Sequence, residues 1–529
     1  MPKCKNCNQE FSVIKADLEF YKNLSVPSPT FCPDCRFQRR LSWRNEKKLY
    51  PSKCAFCKKA MISSFPADTK YTVYCQDCWW SDKWDPLDYG RDYDFNKTFF
   101  ENFNSLQEKV PFFNLTNIRE TNENSDYVNY VSHAKDCYLV FAANWLENIM
   151  YSDYIWRSKD CMDCSYCREC ELCYSCLDTD NSFNSQYLQQ CKTCVDCILG
   201  HGLKNCKNCF GCANLVNAEF YFFNEKLSKI EYQEKIKNIL KNKEEFNKYR
   251  EKFSKFILDF PRKFAYQINC EDSTGDGIKN CKNCSDIFEG EEGENLKWVI
   301  NFPAKTKDCY DISGCGEIEM SLECSCAGLP VYMLRYGHVV FNSENITCST
   351  FIDGSKNLFG CTGIRKGEYC ILNKQYSEKD YNELIKKIED QMKKDGEWGE
   401  FFPTSISPFY YNDTVAHEMF PLKKEVAIKK GYKWRDWKKK IVSPKLNKCE
   451  KCGHNFQIIK QEEKFYKKQN IFVPEKCYEC RQKERLSIRN SRKLWDRKCD
   501  KCKADIKTTY SPDQPEIVYC EKCYNSMIY

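Results

Sequence analysis

Eight cysteines near the start of this 529-residue chain recur near its end, where Cys449 lies 445 positions after Cys4 and the other seven follow in the same order. At each end they form four CxxC pairs, separated by 24, 18 and 17 residues. A CxxC loop places two sulfurs on one edge of a tetrahedron, and a second loop completes a four-sulfur shell for Zn²⁺. The spacing therefore predicts about four zinc ions per chain, and the predicted ligands are Cys4, Cys7, Cys32, Cys35, Cys54, Cys57, Cys75, Cys78, Cys449, Cys452, Cys477, Cys480, Cys499, Cys502, Cys520 and Cys523.

The start of the chain bears on the redox state of its 39 cysteines. The stretch MPKCKNCNQE lacks the charged start, apolar stretch and cleavage site of a secretory signal, and no run of about 18 apolar residues could span a bilayer. We therefore expect a cytoplasmic protein that does not enter a membrane. Thiols stay reduced in the cytoplasm, so CxxC pairs there bind metal more often than they form disulfides.

The first two CxxC pairs at each end carry a resemblance to a known family. The stretch CEKCGHNFQIIKQEEKFYKKQNIFVPEKCYECRQKER, residues 449–485, resembles the zinc-ribbon family of treble-clef type, whose pattern is CxxCG, then F, an FY pair and PxxCxxCR. The first copy is similar, with Asn8 where the pattern has glycine. The whole chain also resembles uncharacterised Cys-rich zinc-ribbon proteins of candidate-phyla bacteria, which share its FGC…NKQY and GEFFP…SPF words. The resemblance implies zinc and a treble-clef knuckle. It favours adjacent pairs as the ligands of one ion, although the spacing also allows alternate pairs to cross-brace.

Two strongly basic segments lie between CxxC pairs. Residues 36–53 hold seven positive side chains and one negative, and residues 481–498 hold eight and two, whereas the whole chain has a formal net charge of +7. In one interpretation these cations offset the negative charge of the zinc-bound thiolates. In the other they bind the phosphates of a nucleic acid, with Trp43 or Trp495 available for stacking. The predicted phosphate-binding residues are Arg36, Arg39, Arg40, Arg44, Arg481, Arg485 and Arg489.

The centre of the chain has a different cysteine pattern. In KDCMDCSYCRECELCYSC the cysteines recur at every third residue, which fits neither the period of a strand nor that of a helix. A longer period of fifteen relates Cys161, Cys176, Cys191 and Cys206. Short units that cannot bury a face alone must stack on their neighbours, so we interpret the centre as two narrow β-solenoids with cysteine stacked inside. Further zinc sites and an iron–sulfur cluster are the alternatives for these central cysteines.

Repeats and capping signals divide the chain into segments. The stretch from Phe210 repeats from Phe359, and each copy ends in a helix signal in which Ser228 or Ser377 has capping-box spacing. The first helix is expected to continue through Phe253. The predicted fold is mainly β with some α, with central Cys-rich β-solenoid stretches between duplicated treble-clef modules. Its segments are 1–84 (tandem zinc-ribbon module), 85–129 (aromatic connector), 130–225 (solenoid A), 226–260 (helix), 261–376 (solenoid B), 377–396 (helix), 397–447 (connector) and 448–529 (second tandem zinc-ribbon module).

The motif content favours a binding protein over an enzyme. The sequence has no P-loop, no GxGxxG after a strand, no HExxH and no nucleophile elbow, and a Cys4 shell leaves no open position for substrate. The first hypothesis is a non-enzymatic zinc-binding scaffold that binds nucleic acid or a ribonucleoprotein through residues 36–53 and 481–498. The second is a protein–protein scaffold in which the solenoid is the partner surface and the zinc modules are structural caps. Neither involves a membrane, and no small-molecule substrate is indicated.

Overall fold

The computed structural model describes residues 1–118, 120–436 and 446–528. The fold is mainly β with some α, as predicted. Within the described part of the chain, no helix combines the length and the apolar character needed to cross a bilayer.

The chain divides into two compact units, and each unit joins segments that are far apart in the sequence. Unit 1 consists of residues 1–115 and 265–436, and unit 2 of residues 116–264 and 437–529. We call residues 1–84 the N-terminal module and residues 448–529 the C-terminal module. Unit 1 therefore contains the N-terminal module with the second central stretch, and unit 2 contains the C-terminal module with the first.

The first central stretch forms a ladder of strands in unit 2, which we call ladder A. Each strand pairs in parallel with the next along the chain, and only the last pair is antiparallel. The offset between partners is twelve residues, as between Gln186 and Ile198 and between Ile198 and Phe210. The strands are Tyr127–Lys135, Tyr138–Glu147, Asp153–Lys159, Ser165–Arg168, Leu177–Asp180, Gln186–Gln189, Ile198–His201, Lys207–Ala213, Glu219–Phe222 and Glu225–Lys226.

The second central stretch forms ladder B in unit 1, where the pairing is again parallel up to an antiparallel last pair. Two of its strands lie off the main order, since Gly293–Lys297 pairs with Thr306–Arg335 and Thr350–Asp353 pairs with His338–Thr347. Partners there are eleven to thirteen residues apart, as between Gln267 and Ile278 and between Ile300 and Ser313. The strands are Gln267–Ile268, Gly275–Lys279, Ile287–Glu291, Gly293–Lys297, Ile300–Phe302, Thr306–Arg335, His338–Thr347, Thr350–Asp353, Lys356–Phe359, Glu368–Ile371 and Lys374–Gln375.

The interior of ladder A explains the cysteine pattern. Its core side chains recur at every third residue from Val128 to Ala218, and thirteen of them are cysteines. Every third residue from Tyr151 to Leu199 also has a positive φ, so the backbone itself turns with this period. The predicted burial of these cysteines is confirmed. Paired residues of neighbouring strands lie twelve apart, so cysteines fifteen residues apart are offset from direct partners by one further step of three.

Small side chains that donate hydrogen bonds suit this interior. The Cys161 thiol lies 3.2 Å from the carbonyl oxygen of Lys159 and 3.4 Å from that of Cys170. Ser152 occupies an equivalent position, and its hydroxyl accepts a hydrogen bond of 3.0 Å from the backbone N–H of Cys164. Thiol and hydroxyl groups thus form hydrogen bonds between neighbouring strands and satisfy buried backbone N–H and carbonyl groups.

The remaining strands are short and lie mostly in the two modules. In unit 1 they are Tyr50–Lys53, Ala60–Ser63, Val73–Tyr74 and Phe112–Phe113; in unit 2 they are Arg262–Lys263, Asn447–Lys448, Asn455–Phe456, Trp495–Lys498, Asp505–Thr508 and Val518–Tyr519. The α-helices of unit 1 are Lys15–Asn23, Pro33–Leu41, Gln76–Trp79, Phe99–Gln107, Glu378–Asp395, Val415–Met419 and Lys424–Lys429. Those of unit 2 are Lys229–Ile239, Lys243–Phe256, Lys460–Lys468, Tyr478–Ser487 and Glu521–Ile528. Four 3₁₀-helices in the described residues are Pro86–Tyr89, Ile257–Asp259, Thr404–Ile406 and Tyr411–Asp413.

The predicted helix starts are confirmed, but one predicted helix is two. The Ser228 and Ser377 hydroxyls accept hydrogen bonds from the N–H groups of Glu231 and Asp380. The helix expected to continue through Phe253 breaks because the Asn242 side chain caps a second helix. The first connector also contains a helix that was not predicted, Phe99–Gln107, which begins with a capping box at Thr98 and supplies aromatic side chains to the core of unit 1.

Candidate metal centres and module–ladder junctions

The sixteen predicted cysteines form four compact groups, each made of two adjacent CxxC pairs. Within each group all four sulfurs lie within 4.8 Å of one another. The closest contacts between pairs are 3.7 Å for Cys7 with Cys32 and 3.8 Å for Cys57 with Cys75, and both recur in the C-terminal module at 3.7 Å. Two sulfurs on a tetrahedral Zn²⁺ with bonds of about 2.3 Å lie about 3.8 Å apart. Each group can therefore hold one metal ion, and adjacent pairs share it.

Local backbone geometry shapes these sulfur groups. Asn8 has φ of 60° and Gly453, at the same place in the C-terminal module, has φ of 70°. Asparagine tolerates this left-handed conformation better than most residues, which explains why Asn8 can replace the glycine of the zinc-ribbon pattern. Backbone N–H groups also point at sulfur. Although partial burial raises the pKa of Cys54, hydrogen bonds from the N–H groups of Cys75 and Cys57 outweigh it and lower the pKa to about 7.

The basic segment of the N-terminal module meets ladder B at one buried aspartate. Arg36 Nε donates to Asp311 Oδ2 at 2.9 Å, and Arg40 Nη1 donates to Asp311 Oδ1 at 3.1 Å. Arg40 Nε also lies 3.5 Å from Ser313 Oγ. The Arg36 guanidinium stacks 4.7 Å from the ring centre of Trp298. The side chains of Arg36, Arg40 and Asp311 are all at most 1% exposed, so the junction excludes water.

The C-terminal module meets ladder A through the same contacts. Arg481 Nε donates to Asp163 Oδ2 at 2.7 Å, and Arg485 Nη1 lies 3.6 Å from Asp163 Oδ1. Arg485 Nε donates to Ser165 Oγ at 3.0 Å. Arg481 lies 5.1 Å from the ring centre of Tyr151. Arg481 and Arg485 are the copies of Arg36 and Arg40, so the duplicated modules use one docking geometry.

The other predicted phosphate-binding arginines also contact carboxylates. Arg39 pairs with Glu323 at 3.1 Å and with Glu400 at 2.7 Å. Arg44 pairs with Glu46 of its own module and donates to the carbonyl oxygen of Ser313 at 3.0 Å. In unit 2, Arg489 is the copy of Arg44 and pairs with Asp178 at 3.0 Å.

This placement does not fit the expected phosphate contacts. Of the seven positive side chains between residues 36 and 53, the four arginines are buried, Lys47 and Lys48 are partly buried, and Lys53 is exposed. Trp43, considered for base stacking, is 0% exposed. Neither interpretation of the charge run includes carboxylate partners, because those partners are far away in the sequence. Arg36, Arg39 and Arg40 lie on the inner face of the docked helix Pro33–Leu41.

The carboxylates maintain the charge of the buried arginines. Burial disfavours the charged form of Arg36, but Asp311, Tyr21 and Glu323 together outweigh it and raise the pKa of Arg36 above its ordinary value. Burial likewise disfavours the charged form of Arg481, but Asp163 and the other negative groups around it together outweigh burial and raise the pKa of Arg481. At Arg40 burial prevails and lowers the pKa, although Asp311 opposes it.

The aspartates were missed by sequence reasoning, although the sequence contains a signal for them. KDCMDCSYC from Lys159 and KDCYDISGC from Lys307 share the aspartate and the serine two residues after it, at an offset of 148. The central cysteines, by contrast, form no group of metal-ligand geometry among the described residues. His454 is exposed and belongs to none of the four sulfur groups.

Comparison with known proteins identifies no family. The sequence matches no family model and no curated protein. Among solved structures it is similar to a "putative acetyltransferase" from Desulfovibrio desulfuricans G20, with 10% identity, a TM-score of 0.10, and coverage of 52% of this chain and 81% of that chain. A TM-score this low carries no information about fold or activity. The zinc-ribbon likeness of the modules therefore remains a resemblance.

Proposed function

We propose that this protein is a non-enzymatic scaffold in which zinc-bound terminal modules brace two β-solenoids, ladders A and B. The observation that carries the proposal is the buried junction in which two arginines of a module form ion pairs with one aspartate of a ladder. In the N-terminal module Cys32 caps the helix Pro33–Leu41, Cys35 lies in its first turn, and Arg36 follows directly. A metal ion at this sulfur group would therefore fix the same helix that presents Arg36 and Arg40.

Zinc fits these sites better than other metals. Closed groups of four thiolates in tetrahedral arrangement favour Zn²⁺ or an iron–sulfur centre, and structural zinc needs no open coordination position. Metal binding at such sites contributes directly to folding, by about 10–16 kcal/mol in small zinc-binding peptides. The proposed role of the ion is to hold the module rigid.

Two features support the solenoid part of the proposal. Parallel partners eleven to thirteen residues apart, up to the antiparallel last pair of each ladder, and core residues at every third position are what a narrow coil of stacked turns requires. An outer flank of ladder A also carries an aromatic group suited to a protein partner. Trp145 is 57% exposed and stacks on His133 with ring centres 3.8 Å apart. Exposed tryptophan is typical of the centre of protein interfaces.

Nucleic-acid binding is the second candidate function. With the seven arginines engaged by carboxylates, it would depend on exposed lysines such as Lys53 and Lys493. A titration of the zinc-loaded chain with single-stranded RNA at rising salt separates the candidates. A steep salt dependence favours nucleic acid, since each phosphate contact contributes to the slope.

The decisive experiment combines metal analysis with hydrogen exchange on the full-length chain. We expect about four zinc ions per chain under reducing conditions. After chelation, backbone amides of Pro33–Leu41 and Tyr478–Ser487 should lose their protection, because the helices that carry the junction arginines are no longer held. Iron in place of zinc, or helices that stay protected without metal, would overturn the proposal.

A matched pair of cysteine substitutions gives the control. Cys35→Ser removes a ligand next to Arg36 and should release the N-terminal module. Cys281→Ser changes a buried ladder thiol that belongs to none of the four sulfur groups, and should leave that module protected.

A further inference from the structure

The two junctions share an anchor, which consists of two arginines of a module and an aspartate and a serine of a ladder. Because this anchor is the same in both units, it cannot by itself determine which module docks on which ladder. Arg36 and Arg40 occupy the same places as Arg481 and Arg485, and Asp311 with Ser313 matches Asp163 with Ser165. Either module could therefore place its arginine pair on either aspartate. Yet the N-terminal module docks on ladder B and the C-terminal module on ladder A. The choice must come from side chains around the anchor that differ.

One position differs in the sign of its charge. Arg39 of the N-terminal module reaches Glu323 of ladder B at 3.1 Å, and Glu323 is 2% exposed. The C-terminal module has Glu484 at this place, which pairs with Lys451 at 2.9 Å and Lys476 at 3.0 Å within its own module. Ladder A in turn has Ser175 where ladder B has Glu323.

We propose that Arg39 and Glu484 are the specificity determinants that assign each module to its ladder, an inference that rests on the proposed function. The C-terminal module on ladder B would place the carboxylate of Glu484 beside buried Glu323, and like charges brought together without water are strongly unfavourable. The N-terminal module on ladder A would leave Arg39 facing Ser175, so the guanidinium would lose the carboxylate that Glu323 supplies on ladder B. Both wrong pairings are penalised, while both correct ones are satisfied.

A second position near the anchor differs between the ladders but not between the modules. Arg44 lies against Gly314 of ladder B, where an added Cβ would come within 2.2 Å of its Nη1 atom. Ladder A has Tyr166 at that place, and Arg489 stacks 3.8 Å from its ring centre. Both modules carry arginine at this place, so each ladder gives the same side chain a different path, and the choice between modules rests on Arg39 and Glu484.

The test compares Arg39→Glu with Arg39→Gln in the zinc-loaded full-length chain. Hydrogen exchange of the Pro33–Leu41 helix measures docking, and carbodiimide cross-linking of Asp17 to Lys297, which are 2.8 Å apart, reports the native contact with ladder B. We expect exchange to rise about 10-fold in Arg39→Gln, which only loses the pair, and about 100-fold in Arg39→Glu, which adds repulsion. The cross-link should weaken in the same order. Exchange of the Tyr478–Ser487 helix in unit 2 should not change in either variant.

Rescue distinguishes specificity from a merely structural role. Adding Glu323→Ser, the residue of ladder A, together with Glu400→Gln should return the exchange of Arg39→Glu to about the level of Arg39→Gln. The inference is overturned if the Glu and Gln variants behave alike, or if removal of the two carboxylates gives no recovery. If they behave alike while chelation still releases the helix, the specificity claim fails and the proposed function stands.

Discussion

The two junctions use one anchor but bury it to different depths. In unit 1 the side chains of Arg36 and Arg40 are 1% and 0% exposed, whereas in unit 2 Arg481 is 9% exposed. A greater contrast is found at the residue before Arg44 and its copy Arg489. Trp43 is 0% exposed, and its copy Ile488 is 58% exposed. The two modules therefore share the geometry of their ion pairs, whereas the apolar packing around those ion pairs differs between the two units.

The deeper burial in unit 1 has a visible cause. The chain after the Glu378–Asp395 helix folds over the N-terminal module, and the ring centre of Phe402 lies 4.9 Å from that of Trp43. Ser407 Oγ donates to the carbonyl oxygen of Ser42 at 2.9 Å, and Gln38 Nε2 donates to the hydroxyl of Tyr411 at 2.7 Å. A buried ion pair adds little net stability, but it becomes costly to break when water is excluded. The comparison therefore predicts unequal effects for equal substitutions.

Asp311→Ala is expected to have the largest effect. It leaves the guanidinium groups of Arg36 and Arg40 buried without their main carboxylate and should destabilise the docked N-terminal module by about 4 kcal/mol. Asp163→Ala should cost about 2 kcal/mol, because Arg481 keeps Glu462 at 3.4 Å. Hydrogen exchange resolved by peptide measures each module separately within the same chain.

Exposed Glu319 on ladder B is the control for Asp311. Glu319→Ala removes a carboxylate from the same long strand but from its solvent side, so the expected change is within about 0.5 kcal/mol. Equal costs for Asp311→Ala and Asp163→Ala would show that burial depth does not govern these junctions.

The tryptophan contrast gives the next prediction. Trp43→Ala should destabilise unit 1 by about 3 kcal/mol, because it removes a large ring from a closed core. Ile488→Ala should change unit 2 by no more than about 0.5 kcal/mol, since most of that side chain contacts water. Denaturant unfolding followed by hydrogen exchange measures both. A loss at Ile488 as large as that at Trp43 would contradict the difference in packing.

The metal-ligand part of the site was predictable because it is encoded locally. A CxxC pair contributes both of its sulfurs to one group, so spacing alone identified all sixteen cysteines. The stacked interior was also predictable, because a small residue at every third position excludes both a regular strand and a helix. In each case the pattern lies within a few residues of the feature that it specifies.

The docking of the modules was not predictable in the same way. Arg36 and Asp311 are 275 residues apart, and the sequence near Arg36 does not indicate a carboxylate partner. A run of cations without nearby acids looks like a solvated or phosphate-binding surface. The duplication also hides the pairing, since each module matches both ladders at the anchor. Only the differing positions, such as Arg39 against Glu484, break that symmetry, and their meaning becomes visible once the ladders are placed beside the modules.

The smallest predicted effect concerns pH and separates the two units again. His338 lies buried against Trp43 and Phe351, and burial, reinforced by the positive charge of Arg44, lowers its pKa from 6.5 to about 3. Ladder A has Gln189 at this place, which does not titrate.

Since the unfolded state takes up the His338 proton near pH 6.5 and the folded state does not, this contribution to stability is complete above pH 6.5 and is lost as the pH falls toward 3. At pH 5 the loss amounts to about 2 kcal/mol. His338→Phe keeps an aromatic ring beside Trp43 and should remove this pH dependence from unit 1 without changing unit 2. The difference between variant and wild type isolates it from Asp413, whose pKa burial raises to about 6 and whose contribution changes in the opposite direction. A variant that lost stability between pH 7 and pH 5 as steeply as the wild type would show that His338 is protonated inside the folded unit, and the closed junction around Trp43 would then have to admit water.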